Sequence, residues 1–154
     1  MCIDRERDAQ YTRELASAIA DSFTRHTVLF STHLVAGACF EWLHAEAGTD
    51  DLFTILRQRD CAIDRLKLAR RTQALRDTMR ERERAGEVFL SDRIRDVEGE
   101  NIVDLAMRAF GGYHTHPVLE ERGKKIALRD TKLLYYYQNR LVGHGCGFST
   151  GAPR

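Results

Sequence analysis

Two neighbouring histidines are the first candidates for chemistry. His114 and His116 flank Thr115, and in an extended strand both side chains would point to the same side. Such a pair can bind a metal, and His144 with Cys146 would supply further ligands. Zinc sites need three or four ligands in a fixed geometry, whereas two histidines in a polar turn are also ordinary surface residues. We therefore treat His114 and His116 as a weak polar site, and we predict no metal and no cofactor.

Three consecutive tyrosines form the second candidate. Tyr135, Tyr136 and Tyr137 cannot all face the core of the protein, because consecutive helical residues are about 100° apart. At least one of them must be exposed or face a partner. Asn139 follows them and can hydrogen-bond a neighbouring loop or remain solvated. Tyrosine combines aromatic surface with a hydroxyl and suits the rim of a domain, so we predict a candidate interface that consists of Tyr135, Tyr136 and Asn139.

No residue is predicted to be catalytic. The arginine-rich segment 60–85 could bind phosphate on a lipid or a nucleic acid. Its arginines are interleaved with acidic residues between Asp64 and Glu83, however, which is typical of intrahelical ion pairs on a solvated face. Cys39 lies in an apolar segment and is interpreted as a small core residue.

Composition narrows the class of protein. The chain has 154 residues, with 24 lysines and arginines against 23 acidic residues, so its formal charge of +1 gives no general attraction to nucleic acid. No apolar run reaches the roughly 18 residues that a membrane span needs, and the first residues do not resemble a signal peptide. The four cysteines form no CxxC pair. We therefore expect reduced thiols and a cytoplasmic protein. Any contact with the inner membrane surface is expected to be peripheral or through a partner.

Hydrophobic periodicity predicts the elements that would position these residues. Helices are expected at 4–25, 32–43, 96–110 and 131–141, with the longest helix within 60–85. A short helix is expected to begin at Thr49 or Asp50 and to include residues 52–56. The segment 32–43 is apolar almost all round and is predicted to be the central core helix, with Ser31 or Thr32 as its N-cap and Trp42 buried. Asp130 or Thr131 is predicted to cap the last helix.

A hairpin is predicted at 118–128. Gly123-Lys124 is a glycine-first pair that suits a type II′ turn. With this turn, the facing pairs would be Leu119 with Leu128 and Glu121 with Ile126. A short strand at 88–90 is expected to complete the same small sheet.

These elements predict a mainly α fold, a helical bundle with a small antiparallel β-hairpin or sheet in the C-terminal half. We expect a single helical domain at 1–142, followed by a flexible glycine-rich tail at 143–154.

Two segments carry a resemblance to a known family. LLYYYQNRL at 133–141, after AFGGYHTHPVLEERG, resembles the C-terminal region of glycerol-3-phosphate and dihydroxyacetone-phosphate acyltransferases. That region ends on a helix with a YYxN core, matched here by Tyr136, Tyr137 and Asn139 with Gln138 in the variable position. THLVAGACFEWL at 32–43 resembles the apolar helix that follows the catalytic half of the family. The resemblance covers about residues 26–141.

The resemblance implies an accessory portion rather than a whole enzyme. The family uses a histidine and an aspartate separated by four residues, and none of the six histidines has an aspartate at that spacing. His44 comes nearest, but five residues separate it from Asp50. The chain would then be the accessory C-terminal portion of a glycerol-phosphate O-acyltransferase of phospholipid biosynthesis, not catalytic alone. It would dock on a separate catalytic acyltransferase domain or associate with itself.

The order of elements also allows an alternative. Helices followed by a strand, a helix and a hairpin suggest a winged-helix-like nucleic-acid-binding or protein-interaction module, with Lys124 and Lys125 at the tip of the wing. The near-zero net charge makes nucleic acid the less favoured partner.

Overall fold

The protein is mainly α-helical, with a small antiparallel sheet built around a hairpin in its C-terminal half, as the sequence predicts. A computed structural model describes residues 5–149, which form seven helices and five short strands. The helices are α1 (Arg5–His26), α2 (Ser31–Ala47), α3 (Leu52–Leu56), α4 (Arg65–Arg84), α5 (Asp92–Arg95), α6 (Gly99–Tyr113) and α7 (Thr131–Val142). The strands are β1 (Val28–Leu29), β2 (Ala62–Asp64), β3 (Phe89–Leu90), β4 (Leu119–Arg122) and β5 (Lys125–Leu128).

Helix α2 is the centre of the core, as its all-round apolar sequence predicts. Its residues from Leu34 to Phe40 are all buried, and Trp42 is buried as predicted. Helix α7 packs along it at Gly37, where a Cβ atom would overlap the side chain of Leu141. A residue without a side chain at this position lets the two helix backbones approach closely, so α2 and α7 form one packed unit.

The antiparallel sheet has the order β2-β5-β4. Leu119 faces Leu128 and Glu121 faces Ile126, so the predicted register of the hairpin is correct. Gly123 has a φ of +61°, the left-handed conformation that the first central residue of a type II′ turn requires.

Strand β2, which pairs antiparallel with β5, was not predicted. Its three residues lie in the segment 60–85, within which only a helix was predicted. The segment is short, and Asp64 caps the helix by accepting a hydrogen bond from the Lys67 amide, so the helix begins later than periodicity indicated.

The strand predicted at 88–90 joins a different partner. Strand β3 pairs in parallel with β1, in a separate two-stranded sheet, and has no pairing with the hairpin. The prediction of one sheet built from 88–90 and the hairpin is therefore wrong. The actual partners lie about sixty residues apart in the chain, and hydrophobic alternation within a short segment contains no information on such a pairing.

The C-terminal segment continues past the predicted domain boundary at residue 142. Asp130 caps α7, and Gly143 ends it. Residues 143–149, predicted to be part of a flexible tail, turn back along the protein, where His144 and Phe148 are buried. Phe148 packs against Phe40, with the ring centroids 5.5 Å apart. The remaining residues of the predicted tail, 150–154, lie outside the described part of the chain.

Helix α1 contributes no buried residue. Its last turns contact the rest of the protein, where the His26 ring stacks on Phe89 at 6.3 Å and Thr24 lies against Gly143. Among residues 5–149, no helix is both long enough and apolar enough to cross a membrane.

Candidate functional site

A cavity of about 390 Å³ lies where α2 begins, and it is walled by α5, the C-terminal half of α6 and α7. Its polar lining consists of Ser31, Thr32, His33, Ser91 and Arg93, together with two tyrosines, Tyr113 and Tyr137. Its apolar lining consists of Phe30, Ile94, Leu105 and Ala109. The cavity therefore joins a hydrogen-bonding end to an apolar and aromatic wall, the combination found in small-molecule sites.

The start of α2 gives the cavity its polar end. Ser31 or Thr32 was predicted as the N-cap, but the N-cap is Phe30, whose side chain has no hydrogen-bond acceptor. The prediction of the cap is therefore wrong. His33 compensates in part, because its Nδ1 accepts a hydrogen bond from the Phe30 amide at 3.2 Å. Ser31 and Thr32 instead occupy the first two helical positions, where backbone N–H groups have no partner within the helix.

Ser31 and Thr32 line this cavity, and their hydroxyl groups have no hydrogen-bond partner in the described part of the chain. Each residue is only 8% exposed. Two unpaired hydroxyls and two unpaired amides at one helix start therefore form a cluster of donors that is open to a ligand.

His33 adds a further donor. Burial, and to a smaller extent the nearby guanidinium of Arg140, lowers the pKa of His33 to about 4. The imidazole is therefore neutral at pH 7. Because Nδ1 accepts the Phe30 amide hydrogen, the ring proton must be on Nε2, and this N–H group can donate a hydrogen bond.

The charge at the cavity is positive. Arg93 lines it and forms no ion pair with another residue of the described chain. No carboxylate is among the lining residues. The nearest acidic neighbour in sequence, Asp92, is already paired with Arg95. Helix α2 adds the partial positive charge of its N-terminus, so the polar end of the cavity favours an anion.

Of the predicted histidine pair, only His114 is at this site. Its Nε2 lies 3.0 Å from the hydroxyl oxygen of Tyr137, which lines the cavity. His116 is exposed in the following turn and does not line this cavity. His144 is buried elsewhere, beside Arg82 and Thr24. Within residues 5–149, no group of three or more histidine, cysteine or acidic side chains is arranged to hold a metal ion.

The residues of the predicted interface point in different directions. Tyr135 faces inward and packs on Phe40, with ring centroids 5.2 Å apart. Tyr136 is 61% exposed, and Asn139 is exposed one turn further along the same helix. Asn139 lies beside Phe23 at the base of α1. The exposed part of the predicted interface is therefore Tyr136 with Asn139.

An apolar stripe on α1 extends this surface. Tyr11, Leu15, Ile19 and Phe23 follow each other at four-residue intervals, and all four are exposed. Their spacing places them along one side of the helix. A helical pattern of this kind normally faces a core, which is why the sequence alone did not distinguish this stripe from a buried one.

His44 and Asp50 are joined despite their unfavourable spacing in the sequence. Nε2 of His44 lies 2.7 Å from Oδ1 of Asp50. The Asp50 side chain is 92% exposed, which is the setting of a surface ion pair and not of a general base held in a cleft. The pair therefore adds no catalytic residue to the site.

Six of the twelve elements of the described chain follow in the order that the predicted winged-helix alternative requires. Helix α2, strand β2, helices α4 and α6, and the hairpin β4–β5 follow in this order, and the sheet order is β2-β5-β4. Helix α6 is the one that would enter a DNA groove. It carries Glu100, Asp104 and a single arginine, Arg108. Arg65 forms ion pairs with Asp104 and with Glu121 of the hairpin, so its charge is neutralised, whereas Lys124 and Lys125 at the tip of the hairpin are exposed.

Comparison with known proteins returns no match, either to a family model, to a curated protein or to a solved structure.

Proposed function

We propose that this chain is a non-catalytic accessory domain that docks onto the catalytic domain of a glycerol-phosphate acyltransferase. Such an enzyme transfers an acyl group from acyl-CoA or acyl-carrier protein to a hydroxyl of glycerol phosphate during phospholipid biosynthesis. The observation that carries the docking role is α1, a 22-residue helix that buries no residue and exposes an apolar stripe. Exposed apolar patches of this kind usually mark an interaction surface.

The charge of α1 favours a protein partner over a lipid surface. The helix carries four arginines and four acidic residues, besides one histidine at its end. Helices that lie on membranes have a predominantly basic polar face, whereas α1 has as many acidic as basic side chains outside its stripe. The stripe formed by Tyr11, Leu15, Ile19 and Phe23 therefore fits a groove in another protein.

The acyltransferase family is supported by the two segments that resemble it. The segment 32–43 lies within α2, and the segment 133–141 lies within α7. These two helices pack against each other at Gly37 and Leu141. The matching segments thus belong to one structural unit, as expected for the shared core of a domain. The lack of a histidine and aspartate at the family's spacing supports a role without catalysis. We infer that the domain acts in the cytoplasm and reaches the inner membrane surface through its partner.

The experiment combines the purified chain with a glycerol-phosphate acyltransferase catalytic domain from which the C-terminal helical region has been removed. Binding is measured by isothermal titration calorimetry. We expect binding by the unaltered chain, loss of binding in the double variant Leu15→Glu/Phe23→Glu, and retention in Ser17→Glu. Ser17 is exposed on the opposite side of α1 and receives the same new charge, so it is the matched control.

Two results would contradict the proposal. One is acyl-CoA-dependent acylation of glycerol 3-phosphate by the 154-residue chain alone. The other is equal binding by the unaltered chain and the Leu15→Glu/Phe23→Glu variant. Sedimentation of the chain without a partner tests self-association. A dimer that disappears in the double variant would assign the stripe to a second copy of the chain instead.

The winged-helix order of elements favours a second candidate, a nucleic-acid-binding module. An electrophoretic shift with random duplex DNA at low salt tests it, because non-specific binding depends on phosphate contacts. The acidic residues of α6 predict no shift.

A further inference from the structure

We propose that the cavity at the start of α2 binds a phosphate monoester, with the phosphate at Ser31, Thr32 and Arg93 and the organic group against Tyr113 and Ile94. This site does not involve the apolar stripe of α1, so it is independent of the docking function proposed above.

The polar end of the cavity has more hydrogen-bond donors than a small neutral ligand has acceptors for. The hydroxyls of Ser31 and Thr32 and their two backbone N–H groups have no partner in the described chain. The Nε2–H group of His33 and the guanidinium of Arg93 add further donors at the lining. A ligand that satisfies several donors at once must consist mainly of acceptors. Helix α2 has no side-chain cap, and the oxygens of the ligand would take the place of one by accepting hydrogen bonds from the free backbone N–H groups.

The number of donors distinguishes phosphate from carboxylate. A carboxylate offers two oxygens in one plane. A phosphate monoester offers three terminal oxygens in a pyramidal arrangement, which can meet a helix start on one side and a guanidinium on the other. Arg93 lies on α5, and Ser31 with Thr32 on α2, so the donors line the cavity from two separate elements.

The rest of the cavity fits an apolar or aromatic group. Ile94 is buried, and Leu105 and Ala109 come from the facing side of α6. Tyr113 is strongly exposed at the end of α6, where its ring can cover a ligand. A volume of about 390 Å³ is at the lower end of the range found for small-molecule sites, so the ligand is a phosphate that carries a compact organic group.

The test uses phenyl phosphate, inorganic phosphate and benzoate as probes, with the full chain labelled with ¹⁵N. We expect phenyl phosphate to bind at one site and to shift the amide signals of Ser31 and Thr32. Inorganic phosphate should bind about tenfold more weakly, because it lacks the ring that packs on the apolar wall. Benzoate should bind more weakly than phenyl phosphate, because it has too few acceptors.

Variants assign the binding to this cavity. Ser31→Ala/Thr32→Val removes both hydroxyls while preserving volume, and Arg93→Gln removes the charge. Each should weaken phenyl phosphate about tenfold or more. Arg108→Gln is the matched control, because Arg108 is an exposed arginine on α6 that does not line the cavity. The Arg108→Gln variant should bind phenyl phosphate as tightly as the unaltered chain does. Thermal unfolding checks that every variant is folded.

Vesicles that contain phosphatidic acid distinguish two sources of the monoester. Vesicle binding that phenyl phosphate displaces supports the site with a lipid headgroup as its ligand. If only soluble monoesters bind and the vesicles do not, the result supports the site with a soluble metabolite as its ligand. The proposal is overturned if phenyl phosphate does not bind at roughly 10 mM, a concentration well above the weakest specific affinities. It is also overturned if the folded Ser31→Ala/Thr32→Val variant binds as tightly as the unaltered chain.

Discussion

Gln138 and Phe148 exchange two hydrogen bonds. The Phe148 amide donates to Oε1 of Gln138 at 2.8 Å, and Nε2 of Gln138 donates to the Phe148 carbonyl at 3.0 Å. The side-chain amide of Gln138 thus pairs with the backbone as a neighbouring strand would. Gly147 has a φ of +83°, and a Cβ atom there would overlap Oε1 of Gln138. The glycines after α7 therefore let the chain turn back so that Phe148 reaches the core.

Replacing Gln138 by leucine is expected to release this segment. The change leaves the buried N–H and C=O groups of Phe148 without partners, and each unpaired group costs about 1–3 kcal/mol. We expect the free energy of unfolding to fall by about 2–4 kcal/mol in urea denaturation. Lys132→Leu, an exposed position on the same helix, should change it by less than about 0.5 kcal/mol. Equal effects of the two changes would show that the Gln138 bonds do not hold the segment.

Two glycines of α6 should respond in opposite ways to alanine. At Gly99, a Cβ atom would overlap the carbonyl oxygen of Ala69 in α4, a backbone atom that cannot move aside. At Gly111, a Cβ atom would have no other atom within 4 Å. We expect Gly99→Ala to destabilise the protein by about 1–3 kcal/mol, and Gly111→Ala to stabilise it by about 0.5–1 kcal/mol, the usual gain of alanine over glycine in a helix. Thermal unfolding of both variants is the measurement, and destabilisation by both would contradict this account.

Two parts of the fold that local chemistry determines, the hairpin turn and the cap of α7, agree with the sequence prediction. The Gly123-Lys124 turn sets the register of the hairpin, because a two-residue type II′ turn permits only one pairing of the flanking residues. Asp130 caps α7, because a short carboxylate before a helix has a favourable local bond available. The pairing of β1 with β3 could not be predicted in this way, since it depends on how α2 and α4 bring distant segments together.

The sequence did not indicate the candidate site, because Ser31 and Thr32 were interpreted as a helix cap and not as part of a cavity. Serine and threonine before an apolar helix are favoured caps, and the sequence gives no sign that Phe30 takes this position. Only the structure shows that Ser31 and Thr32 line a cavity together with Arg93, which lies about sixty residues further along the chain. His33 was not recognised either, since a lone histidine at an apolar helix start has no distinctive pattern.

Trp42 provides a probe of the core. It is the only tryptophan of the chain and is buried in α2. We expect Trp42→Ala to lower the free energy of unfolding by about 3–5 kcal/mol, as truncation of a large aromatic residue in a core does. The fluorescence maximum of the folded protein should lie at shorter wavelength than that of the denatured chain. A maximum typical of indole in water would be inconsistent with the burial.

His33 should make stability depend on pH. Its pKa is about 4 in the folded protein, below the ordinary value of 6.5. The unfolded chain therefore binds more protons between these values, and stability falls as the pH drops from about 6.5 towards 4. Protonation of His33 lowers the free energy of unfolding by up to about 3 kcal/mol. His144, whose pKa is also lowered by burial, acts in the same direction.

A comparison with His33→Gln separates the two histidines. Glutamine can accept the hydrogen bond from the Phe30 amide through its side-chain oxygen but does not titrate. The variant retains the contribution of His144, so the difference between its pH dependence and that of the unaltered chain reports His33. Urea midpoints between pH 4 and pH 8 are the measurement. Parallel curves for the two proteins would contradict the lowered pKa.

Removal of most of α1 should separate stability from docking. The helix buries no residue, and the contacts that hold it, Thr24 on Gly143 and His26 on Phe89, lie in its last turns. A variant that lacks residues 1–20 retains both contacts but loses Tyr11, Leu15 and Ile19. We expect its free energy of unfolding to change by less than about 1 kcal/mol, while binding to the acyltransferase catalytic domain is lost. A large loss of stability would mean that α1 is covered by the chain itself, and unchanged binding would place the docking surface elsewhere.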